Sequence, residues 1–99
     1  MPVLYEYFGL VIHFYSDEHD PIHVHIEYGD CVSIAELVFD EDANLVIRWR
    51  DDKGKPLPPA QLRKAVKLLE AKKKDIVRKW VNFFVYHKGV KKQTITRKV

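Results

Sequence analysis

Two histidines and a glutamate occupy alternate positions of one short segment, a spacing suited to catalysis or metal binding. In the run from Ile22 to Tyr28, apolar residues alternate with His23, His25 and Glu27, which is the period of a strand with one buried face. Side chains on one strand face stand about 6.5–7 Å apart, near enough for two imidazoles to contact one metal ion or one phosphate. Histidine also exchanges protons near neutral pH. The segment therefore predicts a reactive surface.

A preceding run places another histidine on the same surface. Residues 10–14 alternate in the same way around His13, and the turn-rich residues 16–20 join the two runs, which is typical of an antiparallel hairpin. If the two apolar faces coincide, His13 lies opposite His25, with His19 at the rim. We call the resulting set the histidine face: His13, His23, His25 and Glu27.

The histidine face allows two kinds of chemistry. His13, His23 and His25 could bind zinc or another divalent metal. Alternatively, His19, His23 and His25 could act as general acids and bases on an RNA phosphodiester without a metal. A structural role remains open as well, because one side of an antiparallel strand commonly faces solvent. The residues alone therefore leave open whether the chain is an enzyme.

Length and composition predict one domain over residues 1–99. Cys31 is the only cysteine, so no internal disulfide can form. The sequence contains no apolar run of membrane-spanning length and nothing that resembles a secretory signal. We therefore expect a cytoplasmic protein without a membrane partner.

Charge divides the chain sharply. Residues 1–52 carry two basic and twelve acidic side chains, whereas residues 53–99 carry fifteen basic and two acidic ones. This asymmetry predicts a basic surface for RNA or a protein partner. The alternative is that the two halves neutralise one another within the fold or in a homodimer.

The acidic half is expected to form an antiparallel sheet of about four strands in an α+β fold. Residues 1–8 are interpreted as an extended lead-in with core aromatics. Gly29-Asp30 predicts a hairpin turn, and Cys31 to Phe39 and Leu45 to Arg50 predict strands. The apolar phase shifts within the first of these, which predicts a bulge near Ala35-Glu36.

Residues 58–87 form the basic helical part. Pro58-Pro59 suits a helix start, but one continuous helix would exceed the width of so small a domain. We therefore expect either a C-terminal helix or a helical pair bent near Lys72–Lys74 against the sheet. Residues 88–99 are a basic tail with a possible edge strand at Gln93–Arg97. A solvated helical face is the usual meaning of such a basic pattern, and phosphate or partner binding is the sharper alternative. Five residues are assigned to that binding: Lys72, Lys73, Lys74, Arg78 and Lys79.

Several motifs together resemble the bacterial domain-of-unknown-function family numbered 4160. The resemblance rests on Tyr7-Phe8-Gly9, the segment Asp17 to His25, and Glu27-Tyr28-Gly29, and it continues at Leu57-Pro58-Pro59 and Trp80. It implies a short intracellular prokaryotic protein without an assigned activity, often encoded beside another small protein in a toxin–antitoxin-like arrangement. Ile22 stands where the family usually has a second proline. The resemblance implies these site residues: His19, Pro21, His23, His25, Glu27 and Tyr28.

The leading hypothesis combines these features. It describes a toxin–antitoxin-like component that binds RNA or a small cognate partner protein through the basic helix, with the histidine face as its active or metal site. The alternatives are a non-enzymatic protein-interaction module and a small metal-dependent hydrolase.

Overall fold

A six-stranded mixed sheet carries one long helix on one of its faces. We describe a computed structural model over residues 3–14, 22–50 and 54–99. The strands lie in the order β5-β4-β3-β2-β1-β6, antiparallel from β1 to β5, whereas β6 runs parallel to β1. The predicted α+β class is confirmed, but the expected sheet of about four antiparallel strands was too small. The elements are β1 Val3–Tyr7, β2 Leu10–His13, β3 Ile22–Tyr28, β4 Cys31–Phe39, β5 Leu45–Arg50, α1 Pro59–Trp80 and β6 Gln93–Ile95.

Strand β1 is the element that sequence patterning missed. Its pairing with β2 is irregular between Val3 and Tyr5, so Leu4 and Tyr5 are both buried although they are adjacent in the chain. Such an irregularity breaks the two-residue period by which a strand is recognised. The lead-in expected over residues 1–8 is therefore a full member of the sheet where it is described.

The predicted hairpin registers are confirmed, but the predicted bulge in β4 was wrong. His13 pairs with His25 across β2 and β3, and Gly29 has φ +59 at the turn into β4. Strand β4 alternates without interruption. Ser33 takes a buried position, where its hydroxyl oxygen accepts a hydrogen bond from the Leu57 N–H at 3.1 Å. Because Ser33 is polar but faces the core, the apolar alternation of this regular strand looked interrupted in the sequence.

Helix α1 packs on one face of the sheet and continues without a break through Lys72–Lys74, so of the two predicted forms the single helix is the one observed. Pro59 begins the helix, and its buried residues Ala65, Leu68, Leu69 and Ile76 belong to the sheet core. Its 22 residues span about 33 Å at 1.5 Å each, and the longest dimension of the molecule is also 33 Å. The helix therefore fits unbroken. Within the described ranges, no helix is long and apolar enough to cross a membrane.

The irregularity in the helical part comes later than expected. A π-helical turn, Val81–Val85, follows α1 directly, and the Tyr86 N–H donates to the Val81 carbonyl at 3.2 Å. His87, rather than Gly89, takes the positive φ that ends the helical path, at +56. The chain then returns as β6, the edge strand predicted within Gln93–Arg97.

Candidate functional site

The structure brings the four residues of the histidine face together. The His13 and His25 rings stack with centroids 5.5 Å apart and planes at 19°, and His23 lies 5.8 Å from His25 at 55°. Glu27 Oε1 approaches His13 Nε2 at 3.3 Å. Alternation along β3 buries Val24 and Ile26 on the side of α1, so the histidine face lies on the opposite side of the sheet. His19 and Pro21 lie outside the described residues.

His13 differs from the solvent-facing residue that the pattern predicted. Only 2% of it is exposed, and its Nδ1 lies 3.2 Å from the Phe14 carbonyl oxygen. A carbonyl oxygen can only accept, so His13 Nδ1 is the donor in the contact with Phe14, whereas the approach of Glu27 to Nε2 is an ion-pair contact. His23 and His25 are half-buried. Glu27 is the most exposed member of the face, with its side chain 49% exposed, so His23, His25 and Glu27 are accessible and His13 is the buried member.

Metal binding finds less support in this geometry. In the described ranges, no three His, Cys, Asp or Glu side chains are placed to hold one metal ion. Nearly parallel rings such as those of His13 and His25 direct their nitrogens side by side rather than toward one point, whereas a zinc site needs converging ligands.

Tyr28 and Lys73, two residues assigned to binding, have structural roles. Tyr28 lies half-buried against the core. A Cβ at Gly9, where φ is +85, would meet the Tyr28 ring at 3.0 Å, so glycine is required there. Lys73 Nζ donates to the Leu45 carbonyl at 2.9 Å and pairs with Glu70 at 3.1 Å. Its contact fastens α1 to the edge strand β5.

Arg78 and Lys79 are held by Asp75. Arg78 pairs with Asp75, and Lys79 Nζ lies 3.1 Å from Asp75 Oδ2 and 4.3 Å from the Tyr5 ring centre. The Tyr5 hydroxyl also donates to Asp75. Of the remaining assigned lysines, Lys72 is half-buried and Lys74 is exposed. The predicted basic cluster is thus partly neutralised within the fold.

The environment of Asp75 shifts two ionisation equilibria. Burial alone would raise the pKa of Asp75, but hydrogen bonds from Tyr5, Arg78 and Lys79 outweigh it and lower this pKa to about 2. Burial, reinforced by the hydrogen bond to Asp75, raises the pKa of Tyr5 well above its usual range. Asp75 is therefore a charged anchor between α1 and β1.

A cleft between the start of α1 and the end of β1 collects basic side chains that were not among the five assigned to phosphate or partner binding. This Phe8 cleft has a volume of about 280 Å³. Among the described residues, its four basic side chains make no ion pair with a carboxylate. It is lined by Tyr7, Phe8, Ala60, Arg63, Lys64, Lys67, Lys98 and Val99.

A second cleft lies at the other end of α1. This Asn82 cleft has a volume of about 370 Å³ and is also lined by four basic residues. Arg78 and Lys79 among them pair with Asp75, and Lys92 pairs with Glu6 at 2.9 Å. Its lining consists of Arg78, Lys79, Asn82, Gly89, Val90, Lys91, Lys92 and Gln93.

A sequence signal for the Phe8 cleft did exist. Arg63 and Lys67 share one helix face at a spacing of four, and the first turns of α1 contain no acidic residue before Glu70. Carboxylates three or four positions away are what normally neutralise helical cations. Arg63 has none at those positions, whereas Lys67 has Glu70 three positions away, which the structure pairs with Lys73 instead. The contributions of Phe8 and Lys98 come from distant parts of the chain, so no local pattern indicates them.

Fold and site define a small α+β domain in which a single helix covers one sheet face, a cationic cleft lies at the sheet edge, and a histidine cluster occupies the other face. The family model described as Domain of unknown function (DUF4160) matches residues 9–81, so the chain belongs to that family. Phe8 and Lys98 lie outside the matched range. Neither the curated proteins nor the solved structures gave a match.

Proposed function

We propose that this domain binds RNA through the Phe8 cleft. The observation that carries the proposal is that the basic side chains of the cleft form no ion pairs with carboxylates of the described residues. Arg63, Lys64 and Lys67, together with Lys98, surround one cavity and make no ion pair within the described part of the chain. Cations without carboxylate neighbours can release counterions from phosphates, which is the main source of affinity for nucleic acids.

Lys74 extends this surface along α1. Spacings of seven and four residues place Lys67, Lys74 and Arg78 on one side of the helix, so exposed Lys74 lies between the two clefts. An RNA strand seated in the Phe8 cleft would pass this lysine as it follows the helix. Of the five basic residues assigned from the sequence, Lys74 is the one that best fits a phosphate contact.

The test is RNA binding measured by fluorescence anisotropy over a range of salt concentrations. Wild-type protein should bind a labelled oligoribonucleotide, more weakly as salt rises. The double variant Arg63→Gln and Lys67→Gln should lower the slope of log affinity against log salt by about 1.4, since each single-strand phosphate contact contributes about 0.7. Arg48→Gln is the matched control, because Arg48 is exposed on β5 and lines neither cleft. Equal slopes for the two variants would refute the proposal.

A second function is favoured by one observation, the contact of His25 with both His13 and His23. On this proposal, His23 and His25 exchange protons in cleavage of an RNA phosphodiester, and Glu27 holds His13 behind them. His19, which the sequence assigns to the same chemistry, lies outside the described residues. Because the histidine face and α1 lie on opposite sides of the sheet, cleavage should survive neutralisation of Arg63 and Lys67.

A ribonuclease assay on purified protein tests this second function. Cleavage should be lost in His23→Ala and His25→Ala. It should persist in His87→Ala, whose histidine is exposed beyond the end of α1. Absence of cleavage by wild-type protein would leave the domain as a binding module without catalytic activity.

We further propose that the domain acts within a toxin–antitoxin-like pair, as the family resemblance implies, with a small cognate protein as its partner. Co-expression with the product of the adjacent gene should yield a complex and change the effect of the chain on growth. Growth that is the same with and without the neighbour would count against this role.

A further inference from the structure

Phe8 occupies a backbone conformation that disfavours its residue type. Phe8 and Gly9 form the two-residue turn between β1 and β2, with φ values of +45 and +85. Turns in which both central residues have positive φ prefer Asn, Asp or Gly, and a bulky residue there is strained. Strained residues concentrate at functional sites. Phe8 is therefore a candidate functional residue.

The Phe8 ring is held in place and yet remains accessible. The neighbouring Tyr7 is only 3% exposed, whereas Phe8 is 46% exposed. The two rings meet edge to face with centroids 4.9 Å apart, and the Tyr7 hydroxyl accepts a hydrogen bond from the Val99 N–H at 3.1 Å. An anchored tyrosine thus supports an exposed phenylalanine, contrary to the expectation that the aromatics before Gly9 all belong to the core.

Phe8 lines two cavities of different character. One is the Phe8 cleft with its cations. The other has a volume of about 290 Å³ and is mainly apolar, with Leu10, Val11 and Ile95 among its lining residues. Glu6, Thr94 and Thr96 add polar groups to that lining. An aromatic ring that lines both an apolar cavity and a cationic cleft matches a nucleotide, which has a flat base and an anionic phosphate.

We propose that Phe8 is a stacking platform for an unpaired base of bound RNA, with the neighbouring phosphates in the Phe8 cleft. This inference rests on the proposed RNA binding and narrows its substrate to single strands. Base stacking on an aromatic ring requires an exposed base face, which duplex RNA does not offer along its length. Thr94 and Thr96 line the adjoining apolar cavity, and their hydroxyls are the candidates for hydrogen bonds to the edge of the base.

The experiment compares three probes of the same sequence: single-stranded RNA, duplex RNA and single-stranded DNA. Wild-type protein should bind the single-stranded RNA most tightly. Phe8→Ala should weaken that binding by roughly 5- to 100-fold, the range for loss of one base–aromatic stack. Its salt slope should stay unchanged, because no phosphate contact is lost. Phe8→Trp, which keeps a stacking ring, should retain wild-type affinity.

Phe39→Ala is the matched control. Phe39 is an equally apolar and more exposed ring, 63% exposed, at the end of β4, and it lines neither cleft. Its removal should leave affinity unchanged. Phe8→Gly supplies a second test variant in case alanine unfolds the turn, since glycine adopts positive φ without strain. It should lose affinity as Phe8→Ala does.

The outcomes separate this inference from the function on which it rests. If RNA binding depends on Arg63 and Lys67 but is unaffected by Phe8→Ala, or if duplex RNA binds as tightly as the single strand, stacking by Phe8 is refuted and the cleft remains a phosphate site. If single-stranded DNA binds more tightly than RNA, the assignment to RNA is wrong. If no probe binds, both proposals fail.

Discussion

The two clefts beside α1 have the same number of basic side chains but differ in how those side chains are paired. In the Asn82 cleft, Asp75 neutralises Arg78 and Lys79, and Glu6 neutralises Lys92. In the Phe8 cleft, the four cations have no carboxylate partner among the described residues. The Phe8 cleft is lined by two aromatic rings, whereas the residues lining the Asn82 cleft include none.

This difference shows that the number of basic residues does not by itself identify a binding site, because cations paired with carboxylates of the fold are less available to a ligand. The cluster Lys72–Lys79 is the densest basic run in the chain, yet much of it serves to hold α1 against the sheet. The sparser Arg63, Lys64 and Lys67 leave their charge available to a ligand. Single substitutions can therefore make one cleft resemble the other, or measure how strongly carboxylate pairing limits ligand binding.

The largest effect is expected from Asp75→Ala, which should make the Asn82 cleft resemble the Phe8 cleft. It removes the acceptor of the buried Tyr5 hydroxyl and the partner of two cations. The free energy of unfolding should fall by about 2–3 kcal/mol, mainly because an unsatisfied buried donor is left behind. Urea unfolding measures this loss. At the same time, the salt slope of RNA binding should steepen, because Arg78 and Lys79 become available.

A double-mutant cycle with Tyr5→Phe tests the stated cause. If the unsatisfied hydroxyl dominates, Tyr5→Phe should be less destabilising in the Asp75→Ala background than in the wild type. Additive losses would show that the hydroxyl is not responsible. Glu70→Ala is the control, since Glu70 pairs with Lys73 away from both clefts, and it should change stability by at most about 1 kcal/mol.

The sequence predicted the histidine face well and the cleft poorly, for a physical reason. Strict alternation specified the register of β2 and β3, so His13 was placed opposite His25 correctly. Local periodicity, however, carries no information on how Phe8, Lys64 and Lys98 meet across the fold. Each is separated from the next by more than thirty residues, and only tertiary packing brings them to one cavity.

Errors within single elements arose where one residue contradicted the pattern of its strand or helix. Buried Ser33 led to a bulge that does not exist. In α1, the lysines at 72–74 suggested a break or bend, but the helix continues through them and the Lys73 amine donates to the Leu45 carbonyl. Long basic side chains can cover apolar surface while their charge reaches a polar partner. An interrupted apolar stripe is therefore weak evidence for an interrupted helix.

Acidification should weaken the contacts of Asp75 beside the Asn82 cleft more than any contact in the Phe8 cleft. The pKa of Asp75 is lowered to about 2 in the fold, compared with about 3.9 for an unperturbed aspartate. The resulting stability is present above pH 4 and is lost as pH falls through the folded value. Allowing for partial exposure, we expect a loss of about 1–2 kcal/mol between pH 4 and pH 2.

Urea titrations at both pH values check this loss. In Asp75→Asn, the component of the acid sensitivity that comes from Asp75 should disappear, so the stability difference between variant and wild type should shrink toward pH 2. A constant difference across this range would place the acid sensitivity elsewhere.

Removing the Phe8 ring should make the Phe8 cleft resemble the Asn82 cleft in lacking an aromatic platform. Because φ is +45 at this position, Phe8→Gly should be more stable than Phe8→Ala by about 1 kcal/mol, the reverse of the usual order. Thermal unfolding of the two variants measures the difference. Gly9→Ala provides the contrast, since its Cβ would also meet the Tyr28 ring at 3.0 Å, and it should be the least stable of the three.

The smallest effect is expected at the exposed pair between Lys92 and Glu6, whose side chains are each nearly half exposed. Glu6→Gln should change the free energy of unfolding by at most about 0.5 kcal/mol, because solvent screens such pairs. It nevertheless frees one cation in the Asn82 cleft, so the salt slope of RNA binding should steepen by up to about 0.7. If the salt slope is unchanged in Glu6→Gln but steeper in Asp75→Ala, then releasing a cation from its carboxylate strengthens RNA binding only when that carboxylate is buried against the core. Pairing would then limit RNA binding at Asp75 but not at surface carboxylates in general.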